Sequence, residues 1–125
     1  MPLTLTLLPE PLAVCRLDPH SAPPEWAWSG PLVSITRSAD ELSLVCAAAQ
    51  VPPDARAELP WRALKVAGPL DFSLTGILAS LAAPLAEAAI SIFAISTYDT
   101  DYVLVRAGQI DAALDSLRRA GHTIA

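Results

Sequence analysis

The sequence predicts an α+β fold, and three observations lead to it. Apolar residues recur at helical spacing from Leu74 to Ala88 and again from Gln109 to Ala120. Runs of β-branched and aromatic residues precede, separate and follow these two segments, which is typical of strands. From Trp61 onward the predicted order is therefore β-α-β-β-α-β. In this ferredoxin-like arrangement two helices cover one face of a four-stranded antiparallel sheet.

The stretch from Ile90 to Val105 is the most strand-like part of the chain and predicts a hairpin. Its arms, Ile90–Ser96 and Tyr102–Val105, carry apolar residues that would lie on both faces of a pleated strand. Such strands are normally covered on both sides, so we expect this hairpin at the centre of a sheet. The turn gathers hydroxyls and carboxylates at the rim of that element. Its residues are Thr97, Tyr98, Asp99, Thr100 and Asp101.

The first predicted helix follows a loop at Gly68–Ser73, and either Ser73 or Thr75 is positioned to cap its start. Pro84 lies inside this helix and lacks the N–H that a helical residue donates. We therefore expect a kink there, or a helix whose second part restarts at Ala83.

The second predicted helix follows the charge preference of the helix dipole. Asp111 lies in its first turn, and Arg118 and Arg119 lie in its last. Gly121 ends the helix, because glycine adopts the left-handed conformation common after a helix. His122–Ile124 is predicted to form a short final strand.

The N-terminal half is rich in predicted strands and poor in helix. We expect residues 1–60 to form a degenerate copy of the unit at residues 61–125 and to pack against it. The elements predicted in this half are strands at Leu3–Leu8, Leu12–Leu17, Pro31–Thr36 and Glu41–Ala47, a proline-rich loop at Asp18–Gly30, and one helical turn at Pro53–Glu58.

Composition narrows the classes of function. Hydrophobic residues make up 53% of the 125, enough for a core and for an oligomer interface. The formal net charge of −5, with one lysine and seven scattered arginines, argues against nucleic acid or an anionic membrane as a partner. No apolar run approaches the roughly 18 residues of a membrane span. The first residues lack a signal peptide's positive charge, so a cytoplasmic location is expected.

Two cysteines, Cys15 and Cys46, each lie inside an apolar, strand-like run without a nearby thiol in the sequence. This setting predicts that both thiols are buried and act as small apolar side chains. It is not the spacing of a metal site or of a redox pair.

The run GPLDFSLTGILASLAAPLAEAAISIFAISTYDTDYVLV, from Gly68 to Val105, resembles the ACT domain. The N-terminal segment, with LAVCRL, a tryptophan-rich loop and ITRSADELSLVC, also resembles the small bacterial proteins that carry this domain in tandem. The regulatory region of aspartate kinases is similar. The resemblance implies a regulatory module that binds an amino acid or a similar small zwitterion at the interface between ACT units. Such modules are usually homodimers and have neither catalysis nor a cofactor of their own.

The resemblance also implies where a ligand would bind. In the family the ligand lies between the loop and first helical turn of one ACT unit and an adjoining strand edge. Carried over to this sequence, the ligand-binding residues are Leu74, Thr75 and Gly76 on the loop and helix, and Ser96, Thr97, Tyr98 and Asp101 on the strand and turn.

The chemistry of these residue types agrees with that placement. A helix N-terminus offers unpaired N–H groups and a positive dipole end, which suit a carboxylate. Gly76 lets a ligand approach that backbone closely. Asp101 supplies the opposite charge for an α-ammonium group. Asp71 and Asp99 are spare carboxylates nearby, but the first helical turn contains no acid, so the residues alone do not identify the amino acid.

Several of these residues also have a purely structural interpretation. Asp99 and Asp101 could do no more than complete the turn by accepting hydrogen bonds from backbone N–H groups. Gly76 could serve close packing of the helix on the sheet. Tyr98 could pack on a neighbouring unit.

Two other classes of function remain open. The chain could be an oligomerisation or protein-interaction module that lacks a ligand. It could also be an enzyme that uses Asp99 and Asp101, but no base–nucleophile pair accompanies them. Neither His20 nor His122 has metal-ligand spacing to them. We therefore predict no enzyme and no metal.

Overall fold

The computed structural model describes all 125 residues, and their contacts form two compact units. One unit comprises residues 9–61, and the other comprises residues 1–8 together with residues 62–125. The sequence analysis assigned residues 1–8 to the N-terminal half of the chain. In the structure these residues pack with residues 62–125. The assignment of the two halves as separate domains stays a prediction.

Eight strands and two α-helices make up the chain, which confirms the α+β class. The strands are β1 Thr4–Leu7, β2 Leu12–Leu17, β3 Ser34–Arg37, β4 Leu42–Ala47, β5 Ala57–Val66, β6 Ile92–Ser96, β7 Asp101–Arg106 and β8 Thr123–Ile124. The helices are α1 Ile77–Glu87 and α2 Ile110–Arg119, and short 3₁₀ helices lie at Glu25–Trp28, Ala48–Gln50 and Ala107–Gln109.

The larger unit has the predicted β-α-β-β-α-β order from β5 to β8. Its strands pair in the order β6-β7-β5-β1-β8. The outer strands of the motif, β5 and β8, are therefore not neighbours, because β1 lies between them, antiparallel to β5 and parallel to β8. Its core is formed by the buried sides of both helices and of these strands, and includes Leu81, Leu85, Leu117, Val103 and Val105.

The predicted central position of the hairpin is wrong for its first arm. Strand β6 pairs only with β7 and is an edge strand, and none of its five residues is fully buried. Strand β7 lies inside the sheet, where Val103, Leu104 and Val105 are buried. Both strands carry apolar residues on their two faces, yet one is a half-buried edge strand and the other is an interior strand. This sequence pattern therefore does not show whether a strand lies at the edge or in the interior of a sheet.

Helix α1 begins at Ile77, three residues later than predicted. Gly76 precedes it with φ 80° and ψ 0°, a left-handed conformation that an α-helix cannot continue through. Neither Ser73 nor Thr75 caps the start, because no side chain forms a cap hydrogen bond there. The loop from Gly68 therefore extends as far as Gly76.

Helix α1 continues through Pro84, so the predicted restart at Ala83 is wrong. Proline has no N–H to donate to the carbonyl four residues earlier, which belongs to Ser80. The buried ring of His122 compensates, since its Nε2 lies 2.9 Å from the Ser80 carbonyl oxygen. Its Nδ1 accepts a hydrogen bond from the Leu3 N–H at 3.1 Å, which assigns the proton to Nε2.

The unit at residues 9–61 is built from β3, β4, β2 and the first half of β5, all antiparallel, and contains no α-helix. The helical turn predicted at Pro53–Glu58 is wrong, because β5 begins at Ala57 and pairs with β2. The register of this pair shifts between Leu12 and Val14. Pro60 lies in the resulting bulge, where a strand does not need its missing N–H.

The hairpins β3–β4 and β6–β7 have the same length of turn and are followed by the same kind of element. Each turn contains four residues, closed by the pair Arg37–Leu42 in one and Ser96–Asp101 in the other. Each second strand is followed directly by a three-residue 3₁₀ helix. These helices have the sequences AAQ and AGQ at Ala48–Gln50 and Ala107–Gln109. The equivalence indicates an internal repeat with a spacing of 59 residues.

Both cysteines are buried and free. They lie on the paired strands β2 and β4, where Cys15 is opposite Leu44 and Cys46 is opposite Ala13. Burial, and to a smaller extent the Cys46 thiol, raises the pKa of Cys15 to about 12. Burial also raises the pKa of Cys46. The two thiols are therefore near each other, which the sequence did not predict.

We predict that neither thiol reacts with a disulfide reagent such as DTNB in the folded protein at pH 8. With a pKa of about 12, only about one Cys15 side chain in ten thousand is a thiolate at that pH. Labelling followed by absorbance should be slow in buffer and complete within seconds in denaturant. Rapid modification of the native protein would contradict the burial of both residues.

We further predict that His122 and Pro84 are energetically coupled. His122→Ala should lower the free energy of unfolding by about 2–4 kcal/mol, since it leaves the Ser80 carbonyl and the Leu3 N–H unpaired. In a Pro84→Ala background the loss should be about 1 kcal/mol smaller, because the substituted alanine restores the N–H donor. Urea denaturation of the four proteins measures the difference.

The matched control for this cycle is His20→Ala, since His20 is exposed. It should change the free energy of unfolding by less than about 0.5 kcal/mol. Equal losses from His122→Ala with and without Pro84 would refute the coupling.

Candidate functional site

A cavity of about 340 Å³ lies in the larger unit, between two segments of chain. The first wall is the stretch from Leu70 to Leu78, which leads into helix α1. The second wall is the stretch from Ser96 to Asp101, which contains the β6–β7 turn.

The first wall is shaped by a turn at Asp71. Its carboxylate oxygen Oδ1 accepts a hydrogen bond from the Ser73 N–H at 2.8 Å, and its carbonyl accepts one from the Leu74 N–H at 3.0 Å. The bonds from the Ser73 backbone and side chain hold the pKa of Asp71 below its ordinary value. The Asp71 side chain is therefore ionised at neutral pH and adds a negative charge to this wall.

The start of α1 belongs to the first wall, since Gly76, Ile77 and Leu78 all line the cavity. The first backbone N–H groups of an α-helix have no partner within the helix, and at the start of α1 no side chain caps them. A Cβ built on Gly76 would meet no atom within 4 Å. Glycine is therefore required here by the positive φ, and the packing interpretation of Gly76 is wrong.

The second wall is held by hydrogen bonds within the turn. Both the N–H and the Oγ1 of Thr97 donate to the Thr100 carbonyl, at 2.8 and 3.1 Å. The Thr100 N–H in turn donates to the Thr97 Oγ1 at 3.4 Å. These bonds leave the Asp99 and Asp101 side chains without a role in closing the turn.

Two further hydrogen bonds fix the walls to each other. The buried Thr100 Oγ1 donates to the Val66 carbonyl at 2.6 Å, at the end of β5. The Leu70 N–H donates to the Asp99 carbonyl at 2.6 Å. Gly68 permits this approach, because an added Cβ would lie 3.0 Å from the Asp99 carbonyl oxygen. The cavity is therefore framed by backbone and a buried hydroxyl rather than by long side chains.

An aromatic pair lies at the rim of the cavity. The rings of Phe72 and Tyr98 meet edge to face, with centroids 4.8 Å apart and an angle of 77°. Both are largely exposed, at 73% and 80%, and Leu74 beside them is 47% exposed. Half of the large apolar side chains that are exposed in this protein thus surround one cavity.

The charges around the cavity are all of one sign. Asp71, Asp99 and Asp101 line it, and no lysine, arginine or histidine does. Asp101 is half-buried, and its carboxylate forms no hydrogen bond or ion pair within the chain. An unpaired carboxylate favours a cationic partner. The three carboxylates do not converge, since no group of acidic, cysteine and histidine residues is arranged to hold a metal ion.

Six of the seven predicted ligand-binding residues line this one cavity, and Thr75 does not. Their binding of a ligand stays a prediction. The sequence analysis missed Leu70, Phe72, Ile77 and Leu78, and it named Thr100 as a turn residue without assigning it to the ligand site. The aromatic residue in an otherwise polar turn was a usable signal for Phe72, whereas nothing local to Thr100 indicated that its hydroxyl would be buried. The residues that line the cavity as predicted are Leu74, Gly76, Ser96, Thr97, Tyr98 and Asp101.

Neither helix has both the length and the hydropathy that a membrane span requires.

Comparison with solved structures identifies similar folds. A crystal structure of an Agrobacterium tumefaciens protein superposes with a TM-score of 0.94 at 39% identity, covering 100% of this chain and 93% of that one. A Vibrio cholerae protein of unknown function gives a TM-score of 0.78 at 21% identity, covering 95% and 90%. Aspartate kinase of Clostridium acetobutylicum gives 0.68 at 11% identity, covering 93% of this chain and 34% of the kinase. The last two similarities concern the fold alone.

Among curated proteins, the human cytosolic arginine sensor for mTORC1 subunit 1 is 42% identical over 60 residues. The rat protein is 40% identical over the same length. Each match covers 47% of this chain and 18% of the sensor, so the matched region is less than a fifth of those relatives.

Family models cover most of the sequence. A model that describes an N-terminal domain matches residues 10–54. The model of the ACT domain matches residues 56–119, more than half of the chain and all of both cavity walls. The chain therefore belongs to the ACT domain family.

Proposed function

We propose that this protein is a regulatory ACT module that binds an amino acid reversibly in the cavity between the start of α1 and the β6–β7 turn. The observation that carries the proposal is that the uncapped start of α1 and the unpaired carboxylate of Asp101 line the same cavity. A positive backbone dipole and a negative side chain would then recognise the two charged ends of one zwitterion.

The α-carboxylate of the ligand would bind at the start of α1. Backbone N–H groups there lack intrahelical partners, and the dipole of the 11-residue helix favours an anion at this end. Gly76 leaves open space where any other residue would project a side chain. The three carboxylates nearby would repel an anion, so this helix end is the part of the cavity that suits one.

The α-ammonium group would bind Asp101. The residue is half-buried and its carboxylate has no partner in the chain, so a bound ammonium would supply the interaction that it lacks. The hydroxyls of Ser96 and Thr97 lie on the same wall and are further acceptors.

The remaining charges favour a ligand with a cationic side chain. Asp71 and Asp99 also line the cavity, without any basic residue to neutralise them. The Phe72–Tyr98 pair adds aromatic rings, which attract guanidinium and ammonium groups. The relative that is named an arginine sensor supports the same class of ligand. We therefore expect arginine or lysine rather than an acidic amino acid.

The regulatory output would follow from linkage. A ligand that bridges the two walls favours the conformation in which they are held together, and any partner that reads this conformation responds to the ligand. We propose that the module works in the cytoplasm as a homodimer, in keeping with the resemblance to ACT regulatory units. It would act without catalysis of its own.

We predict that L-arginine or L-lysine raises the melting temperature, and that L-citrulline, the neutral isostere of arginine, binds at least about tenfold more weakly. Binding at about 100 times the dissociation constant would add about 2.7 kcal/mol, a shift of several degrees. A thermal-shift screen of the twenty amino acids and citrulline measures this. Absence of any shift at millimolar concentrations would refute the proposed function.

We also predict that Asp101→Asn weakens binding of the amino acid found in that screen by about 10- to 100-fold, because the ammonium loses its charged acceptor. Isothermal titration calorimetry measures the dissociation constants. Asp54→Asn, an exposed carboxylate in the unit at residues 9–61, is the matched control and should bind normally. Equal affinity of the two variants would remove Asp101 from the site.

The alternative is an oligomerisation or protein-interaction module without a ligand. The observation that favours it is the exposed apolar group at the cavity rim, formed by Phe72, Leu74 and Tyr98. This function predicts that no amino acid changes the melting temperature, while Tyr98→Ser lowers the oligomeric state measured by light scattering.

A further inference from the structure

We call the hairpin β3–β4, with the segment that follows β2, the first repeat, and the hairpin β6–β7, with the segment that follows β5, the second repeat. The first repeat has a counterpart of the cavity's second wall. Its turn at Ser38–Glu41 uses the same hydrogen bonds as the turn at Thr97–Thr100. The Ser38 N–H and Oγ both donate to the Glu41 carbonyl, at 3.0 and 3.5 Å. The Glu41 N–H donates back to the Ser38 Oγ at 3.3 Å. The second wall of the ligand cavity is thus present twice in the chain.

The residue that precedes the turn differs between the repeats. It is Ser96 in the second repeat, where it lines the cavity, and Arg37 in the first. The Arg37 guanidinium donates to the Pro19 carbonyl through Nη1 and to the Ser21 carbonyl through Nη2, the latter at 2.6 Å. Pro19 and Ser21 follow strand β2, as the first wall of the cavity follows β5. An arginine side chain therefore bridges the two segments that the second repeat leaves separated by a cavity.

A second arginine strengthens the correspondence. The third residue of each turn is an aspartate whose carbonyl accepts a hydrogen bond. In the second repeat Asp99 accepts from the backbone of Leu70 at 2.6 Å. In the first repeat Asp40 accepts from the Arg16 Nη2 at 2.9 Å. In the first repeat the guanidinium of Arg16 thus binds the carbonyl of the third turn residue, whereas in the second repeat a backbone N–H binds the equivalent carbonyl.

We propose that Arg37 is a built-in occupant of the first repeat's counterpart of the ligand site, and that its removal opens a site for a free guanidinium compound. The proposal rests on the proposed function only in treating the second repeat's cavity as a ligand site. A guanidinium fits because its planar fork donates to two acceptors at once, and both acceptors here are main-chain carbonyls that substitution of Arg37 leaves in place.

The test is chemical rescue of Arg37→Ser, which copies Ser96 of the second repeat. The variant should melt about 2–5 °C below the wild type, since two charge-assisted hydrogen bonds are lost. Methylguanidinium chloride at about 50 mM should recover at least half of that loss, because it binds the folded variant at the vacated position. The same concentration of sodium chloride is the salt control.

Arg119→Ser is the matched control, because Arg119 is exposed and its side chain pairs with Asp115 on the same helix. Methylguanidinium should not raise its melting temperature or that of the wild type. If Arg37→Ser does not fold, Arg37→Ala takes its place and should be rescued to the same extent. The ammonium of Arg37→Lys should keep a single hydrogen bond, and methylguanidinium should give that variant no rescue. Rescue of Arg37→Lys, or no rescue of Arg37→Ser beyond that of Arg119→Ser, would overturn the proposal.

The outcome is separable from that of the proposed function. Rescue should persist in an Arg37→Ser, Asp101→Asn double variant, because Asp101 belongs to the other repeat. If rescue occurs and no amino acid binds the wild type, only the proposed function fails. If an amino acid binds and rescue does not occur, only the occupant proposal fails.

Discussion

The hydrogen bond from the buried Thr100 hydroxyl to the Val66 carbonyl is the constraint on which the cavity depends. It ties the β6–β7 turn to the end of strand β5, from which the opposite wall begins. The Leu70 N–H bond to the Asp99 carbonyl then returns that wall to the turn. With both ends fixed, the chain between Leu70 and α1 has to pass around a space that no side chain fills. The cavity is thus a result of backbone geometry.

The polarity of the cavity arises because polar groups in both of its walls lack partners within the chain. Helix α1 starts without a capping side chain, because Gly76 occupies the cap position. The β6–β7 turn closes through Thr97 and Thr100, so Asp99 and Asp101 are not needed to stabilise it. The helix start consequently presents backbone donors to the cavity and the turn presents carboxylate acceptors, and no basic side chain lines the cavity to neutralise them.

Local patterns predicted the second half of the chain well, and tertiary constraints account for the differences. The 3.6-residue periodicity located both helices, and the turn residues located the β6–β7 hairpin. Periodicity did not show that a left-handed Gly76 shortens α1, nor that β6 is an edge strand, because both depend on partners far along the chain. The same limit applies to Pro60, whose bulge exists only where β5 pairs with β2. For the site, residue types and the family resemblance grouped six lining residues, whereas the buried role of Thr100 required the position of β5.

Strand β1 lies between β5 and β8, with Leu5 opposite Val66 on one side and Ile124 on the other. The larger unit is therefore discontinuous in sequence, and its sheet is completed by a strand synthesised before the whole of the other unit. A fragment that begins at residue 62 would lack an internal strand, and β8 would have no neighbour to pair with. Both contacts of β1 span long stretches of sequence, so closing them carries a high loop-entropy cost and should slow folding. The larger unit therefore depends on the first eight residues of the chain for its assembly.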